Sequence, residues 1–464
     1  MTTLPIGYSA SVARVTPSSI MRKALTLLLW LLPFHILAMA VLFGALHLPI
    51  STVRLIASWK ETVVIALVAL TIARSAAGLG PRARVFWGDI AVLGMFILSI
   101  LFVLTKTIWF QVKFPLAAEL YGVRDAVFFM LLYFVGRSTP EILRDEKLLR
   151  TMYRVALVTS VIAIIERIFV TPDMLVLMGA ASYFQDFLGG TVFTEGNIYG
   201  LPMGYWSVVG GMIIRRAGSV YLSSQAFAIS FLLLMPAATV WVFGRDRKLS
   251  KLSIIGYALI WVGFLLSLTR MTIVICVLQL MVYALMNRKA IWAVSGLAIF
   301  GVVFLAVSAA LPRLLGFVWQ TFTWQTESSQ SHLRDWWSGG VAFFERPWGS
   351  GPGTTDAIPV RFGLTPLTAD NQYLKYAVEL GLVGLILHLA IFAAIVGAAW
   401  QLFRNANRTT RSFGIVLLLA TLGILINAWT AVVFNSMVVA YIYFWLAGAA
   451  ITETQRIERG ESPA

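Results

Sequence analysis

The chain has 464 residues, 59% of them hydrophobic and only 12% charged, and a formal net charge of +15 at pH 7. That is about half the charged fraction of an ordinary soluble domain, and with a mean hydropathy of +0.83 it excludes a soluble globular protein and indicates an integral membrane one. The apolar runs are continuous rather than alternating, which excludes a β-barrel, and the positive charge follows the loops between runs, so no nucleic acid partner is expected.

A helix needs roughly 20 apolar residues to cross the hydrocarbon. The first run, Leu25 to Leu48, is too long for a signal-peptide core and lacks a small-residue cleavage site after it, so it is expected to be the first span. Further spans are predicted over 61–78, 88–106, 119–136, 152–170, 224–243, 252–269, 271–286, 290–310, 373–403, 412–430 and 432–451, making twelve in an all-α polytopic bundle. Cys276 is the sole cysteine and lies in an apolar run, so disulfides play no part.

Basic residues then recur on one side, with Arg22 and Lys23 joined by Arg74, Arg137, Arg144, Lys147, Arg150, Arg154, Arg404, Arg408 and Arg456. By the positive-inside rule both termini are expected in the cytoplasm. The whole of 1–464 reads as a single membrane domain, with 452–464 a short polar cytoplasmic tail. Two segments fall outside, 171–223 and a large loop at 311–372 before the tenth span. Helix connections in bundles run about 2–8 residues, and long loops of this kind usually carry function.

The basic residues on the outer side have no topological reason to be there. Arg215 and Arg216 precede the sixth span in "IIRRAGSV", Arg270 lies at the joint of two spans in "LLSLTRMTIV", and Arg334, Arg346 and Arg361 lie in the large outer loop. Converging guanidiniums would hold phosphate or pyrophosphate, because each offers a planar fork of donors and keeps its charge. Arg270 has almost no loop around it, and a charge at that depth reads as functional by default.

The large loop also carries "SHLRDWWSGGVAFFERPWGSGPG", where Trp336, Trp337 and Trp348 suit either the interfacial belt or stacking on sugar rings. "GSGPG" reads as a tight turn whose glycines permit positive φ. Asp370, opening the tenth span, is placed to cap its helix and also to act as a general base held between arginines and partial burial. His332 is the other candidate that titrates near neutrality. His35 and His388 are expected as buried, hydrogen-bonded polar residues, and Arg124, Asp125, Glu166 and Arg167 as interior groups paired to other helices. No metal-ligand spacing, Walker motif or nucleophile elbow is present, so no metal or cofactor is expected.

The arginine pattern R-x-x-G-S-V, "SLTR", "RDWW" through "PWGSGPG", and "DNQYLKYAVELGLVG" together resemble the bacterial O-antigen ligase and polymerase family. The resemblance runs from about Arg215 to Gly384 in motifs and over the chain in layout. It implies a C-type glycosyltransferase fold in the bacterial cytoplasmic (inner) membrane, inverting, independent of metal, and working at the outer face on a glycan carried by undecaprenyl pyrophosphate. It also implies that Arg215 or Arg216, with Arg270, neutralises the departing pyrophosphate and that Arg334 steadies the donor. The acceptor would be a second glycan or lipid A core, with membrane lipids and other glycan assembly proteins as further partners. The family's ligases often carry histidine before the asparagine of the tenth-span motif. Asp370 stands there in this chain, which favours a polymerase of exopolysaccharide, capsule or O-antigen over a ligase. A flippase of lipid-linked sugars is the rival from another class, and the crowding of polar residues at one face argues against it.

Overall fold

A computed structural model of the chain describes residues 17–81, 83–109, 114–189, 199–209, 212–244, 250–287, 323, 325, 327–368, 370–405 and 407–461. Its helices are α1 (Pro17–Leu31), α2 (His35–Ala40), α3 (Ile50–Ala57), α4 (Trp59–Ala76), α5 (Trp87–Trp109), α6 (Leu116–Val127), α7 (Leu131–Arg137), α8 (Glu146–Phe169), α9 (Pro172–Leu177) and α10 (Ala180–Ser182). After the antiparallel strands β1 (Trp206–Val209) and β2 (Met212–Arg215) come α11 (Ser224–Phe243), α12 (Lys251–Leu265), α13 (Arg270–Met286), α14 (Glu327–Glu345) and α15 (Ala357–Val360). The chain closes with α16 (Gln372–Asn405), α17 (Arg408–Asn427) and α18 (Met437–Glu458).

The fold is an all-α polytopic bundle, as expected. Among the described residues, seven helices are long and apolar enough to cross a membrane, and the first expected span is a pair bent by 64° at residues 32–34. The expected span 119–136 is broken instead into α6 and α7, joined by a short 3-10 turn. A carbonyl freed at such a break needs a partner at membrane depth, and the Tyr376 hydroxyl donates to Ala126 O at 2.8 Å. The expected spans 252–269 and 271–286 form the shorter apolar helices α12 and α13. The expected span 290–310 lies outside the described residues, as do Arg245, Arg247, Lys248 and most of the loop before Glu327.

Apolar residues encircle α11 and α18, and such helices belong in the interior; both are almost entirely buried. Close packing of α18 on α7 depends on two glycines. A Cβ on Gly136 would overlap the Trp445 carbonyl, and one on Gly448 would overlap that of Tyr133, the small-residue contact that lets membrane helices approach. A second, smaller core covers one end of the bundle, gathering Met39, Val53, Leu175, Tyr183, Tyr205 and Leu222.

Helix α16 is interrupted at Gly381, with φ 70° and ψ −169°. The "PWGSGPG" loop fills the gap: Ser350 N donates to Val378 O at 2.7 Å, Gly351 N to Glu379 O at 2.9 Å, and Leu382 N to Pro347 O at 2.8 Å. A Cβ at Gly381 would meet the Trp348 backbone at 2.4 Å, so this position requires glycine for both its torsion and its space. Glu379 Oε1 accepts from Lys375 Nζ at 3.1 Å and from Thr355 Oγ1 at 2.5 Å, tying the same loop to the helix from within.

Two expectations about interior polar groups need correction. His35 Nδ1 does accept from Trp59 Nε1 at 3.0 Å, but neither ring nitrogen of His388 has a hydrogen-bond partner among the described residues. The His388 ring instead packs into an aromatic box, 4.3 Å from Tyr376 and 4.9 Å from Phe392. Arg124 forms its ion pair with the adjacent Asp125, at 2.8 Å, rather than with another helix.

Candidate active site

The ends of α1, α4, α7, α8 and α18 carry basic residues that meet at one end of the bundle, where Arg22 pairs with Asp145, Arg137 with Asp89 and Arg144 with Glu453. The arginines that the topology did not explain gather at the other end, and the β1–β2 hairpin positions the first two. Trp206 opposes Arg215 in the ladder. Consecutive residues of an extended chain point to opposite sides, and Arg215 and Arg216 separate accordingly.

Arg215 turns to the C-terminus of α8, where its Nη2 donates to Glu166 O at 2.7 Å, and it is only 8% exposed. The Glu166 carboxylate in turn accepts from Ser219 N at 2.6 Å and Gly218 N at 3.4 Å. The R-x-x-G-S-V pattern is therefore a clasp between the hairpin and α8. Arg216 turns the other way: Nε donates to Ser267 O at 2.9 Å and Nη2 to Thr269 Oγ1 at 2.7 Å. Thr269 immediately precedes α13, whose first residue is Arg270. Burial, and then the charge of Arg270 beside it, bring the Arg216 guanidinium down to about 10, so it stays cationic at neutral pH.

His332 and Asp335 lie one helical turn apart on α14, a spacing that puts them on one face. Asp370 comes from the loop entering α16, with φ 53°. The three offer ligand atoms that all lie within 4.8 Å of one another. Burial, then the neighbouring carboxylates of Asp356 and Asp335, push the Asp370 carboxyl up to about 7, against the opposing effect of a hydrogen bond with Gln225. Burial holds His332 below its ordinary value, with Arg270 pulling the same way and Asp335 opposing, so its imidazole is neutral at pH 7. His332 Nδ1 is buried without a hydrogen-bond partner among the described residues.

Arg270, Arg216, His332 and Asp370 thus belong to one site. Arg334 is exposed on α14 and reaches the site through its charge on Asp335. Arg361, just past α15, is exposed and acts on Tyr183. Trp336 and Trp429 meet edge to face at 6.1 Å, and Tyr373 lies 5.2 Å from Trp429, forming an aromatic wall that runs on to α16. Trp337 and Trp348 are exposed.

Sequence reasoning missed three contributors. Asp356, with φ 60°, accepts from Asn435 Nδ2 at 2.7 Å and faces Asp370, while Gln225 reaches Asp370 from the first turn of α11. None lies in a motif, and they come from three separate segments. Sequence spacing also gave no metal-ligand set, because His332 and Asp335 are joined by Asp370 only through the fold. These three residues could hold a metal ion, although the charge of Arg270 on His332 opposes one there.

A polytopic helical membrane protein with convergent arginines, carboxylates and an imidazole at one end of its bundle is the class defined so far. Residues 255–389 match the family described as O-antigen ligase, a stretch from α12 into α16 that includes Arg270, His332, Asp335, Asp356 and Asp370. That match covers under a third of the chain and supports a likeness to the O-antigen ligase and polymerase family, a family of enzymes. No curated protein matches the chain.

Proposed function

We propose that the protein is an inverting glycosyltransferase that polymerises oligosaccharide repeat units carried on undecaprenyl pyrophosphate, at the outer face of the bacterial cytoplasmic membrane. The observation that carries this reading is the placement of Arg216, fastened to Thr269 beside Arg270, next to the His332, Asp335 and Asp370 cluster. One half of such a site suits a leaving anion and the other half suits a proton.

A hydroxyl of the acceptor glycan attacks the anomeric carbon of the donor. The new carbon–oxygen bond forms as the bond to pyrophosphate breaks, and the electron pair departs with the pyrophosphate. The hydroxyl proton passes to the Asp370 carboxylate, whose raised value near 7 matches the optimum for a base at neutral pH. His332, held neutral, is the second acceptor for that proton. Arg216 and Arg270 neutralise the charge growing on the pyrophosphate, a preorganised electrostatic role that metal ions fill elsewhere, with Arg334 reinforcing the rim. The aromatic wall of Trp336, Trp429 and Tyr373 suits the faces of sugar rings.

A second reading, transfer of the finished glycan to lipid A core, is favoured by the description of the matching family. Asp370 in the position where ligases often carry histidine favours the polymerase. Reconstitution of the purified protein with a lipid-linked repeat unit, with and without a chelator, separates the readings. A ladder of glycans on the carrier, unaffected by chelator, is the expected result. Transfer only when lipid A core is added would give the ligase, movement of lipid-linked sugar across the bilayer without transfer would give a flippase, and loss with chelator would give the His332, Asp335 and Asp370 group a metal.

A further inference from the structure

The opposite end of the bundle holds a cavity of about 430 Å³ between α1 and α8, walled by Arg22, Lys23, Lys147, Arg150 and Arg154, with Asp145. It is remote from the site above: Arg150 and Glu166 are 16 residues apart on α8, or about 24 Å at 1.5 Å per residue. The single carboxylate is already engaged, accepting from Lys147 N at 2.9 Å as the helix cap and lying 3.4 Å from Arg22. Lys23, Lys147, Arg150 and Arg154 have no carboxylate partner among the described residues, and the guanidinium of Arg150 is packed 5.1 Å from the Trp241 ring.

All five cations are exposed, so solvent screens much of their mutual repulsion, but their convergence on one hollow favours an anion. Lys147, Arg150 and Arg154 recur at the spacing that places side chains along one helix face, and the first two lie in the opening turns of α8, where the helix dipole already favours negative charge. A topological excess of basic residues requires only that they be on that side of the membrane. It does not require five of them around one cavity at a helix N-terminus.

We infer that this cavity is a binding site for the phosphate headgroup of an anionic phospholipid, and that the four unpaired cations suit one with two phosphates, such as cardiolipin. Basic pockets between membrane helices bind such headgroups. The lipid is favoured over a soluble phosphate because the cavity is also walled by Leu25, Ile142 and Leu148. Beyond it, α1 exposes Leu27 and Leu31, at 50% and 42%, where acyl chains would lie.

The test is native mass spectrometry of the full chain with cardiolipin, phosphatidylglycerol and phosphatidylcholine, together with its melting temperature in each lipid. The variant Arg150→Gln/Arg154→Gln is compared with Lys251→Gln/Arg404→Gln, which removes equal charge from the same end of the bundle. The expected result is preferential retention of cardiolipin, a higher melting temperature of the unmutated chain in that lipid, and affinity reduced at least about tenfold in the first variant only. Equal loss in both variants, or no preference over phosphatidylcholine, would overturn the site. Displacement of cardiolipin by millimolar inorganic phosphate would overturn the lipid assignment in favour of a soluble phosphate.

Discussion

Two charged clusters meet at the start of α16, one on the helix and one at the loop that enters it, and they are built on opposite principles. Lys375 and Glu379 form a sealed pair, 3.1 Å apart with side chains 3% and 0% exposed, and Thr355 completes the carboxylate oxygen that faces Lys375. A few residues earlier, Asp370 is set against Asp356 and Asp335, with a neighbouring imidazole whose Nδ1 has no hydrogen bond among the described residues. The first cluster places opposite charges together and holds the loop in the broken helix. The second buries a carboxyl beside like charges; burial first and the neighbouring carboxylates second raise it into the range where it can take a proton, with no structural benefit.

The largest expected effect is on chemistry at the second cluster. Asp370→Asn keeps the shape of the side chain and removes the base, so turnover should fall by about 10²–10⁴-fold while abundance in the membrane stays constant. In the unmutated enzyme, kcat/KM should rise tenfold per pH unit below about 7 and then level, because the carboxyl must be deprotonated to act. A variant that still builds glycan at the normal rate would remove Asp370 from the mechanism.

At the sealed cluster the expected loss is of stability. Removing one partner of a buried ion pair leaves an uncompensated charge at a cost of about 3–5 kcal/mol, so Glu379→Ala should lose folded protein on heating or in detergent. Lys375→Met/Glu379→Met, which removes both charges, should recover much of it. Equal melting temperatures for Glu379→Ala and the unmutated chain would mean that the pair does not hold the loop.

The adjacent arginines of the hairpin repeat the contrast on a smaller scale. Arg270→Ala should lower kcat by about 10²–10³-fold, as expected for the loss of a preorganised donor to developing charge, with little change in melting temperature. Arg216→Ala should lower kcat likewise and also cost some stability, because Ser267 O and Thr269 Oγ1 each lose a donor. Arg215→Ala should instead destabilise the fold by about 1–3 kcal/mol, because Glu166 O keeps only Val170 N as a donor and the clasp between the hairpin and α8 is lost. Activity per folded molecule should survive. The reverse pattern would exchange the two roles.

The distinction between these arginines also marks how far the sequence could be read. Length and apolarity were enough to place 224–243 and 271–286 close to where α11 and α13 lie, because a span is a local property of composition. The breaks at Val127 and Gly381 were not legible, since each is made by a distant partner, the Tyr376 hydroxyl in one case and the Pro347–Gly351 backbone in the other. In the site, Arg270 stood out as a charge where membrane topology did not call for one, and Asp370 and His332 as groups able to take a proton. Arg215 and Arg216 could not be told apart, because only the hairpin assigns them to opposite sides. Asp356, Gln225 and Asn435 gave no signal, since their relevance lies wholly in what the fold brings beside them.

The smallest expected effect is a pH-dependent stability difference that reads the raised Asp370 carboxyl. The Asp370 carboxyl titrates at 3.8 ordinarily and at about 7 in the fold, so between these values the folded state keeps a proton that the unfolded chain has released. The stability this contributes is complete below pH 3.8 and is lost as pH rises through about 7. Asp335, also raised, acts in the same sense, whereas His332, lowered by burial, acts in the opposite one below 6.5. The wild-type curve alone therefore mixes three groups, and its difference from Asp370→Asn keeps the Asp370 carboxyl together with its coupling to Asp335. That difference in melting temperature should favour the asparagine variant increasingly from pH 5 to 7 and then stay constant to pH 8.5. A flat difference across the range would mean that neither burial nor the neighbouring carboxylates raise the Asp370 carboxyl and that the cluster holds no poised base.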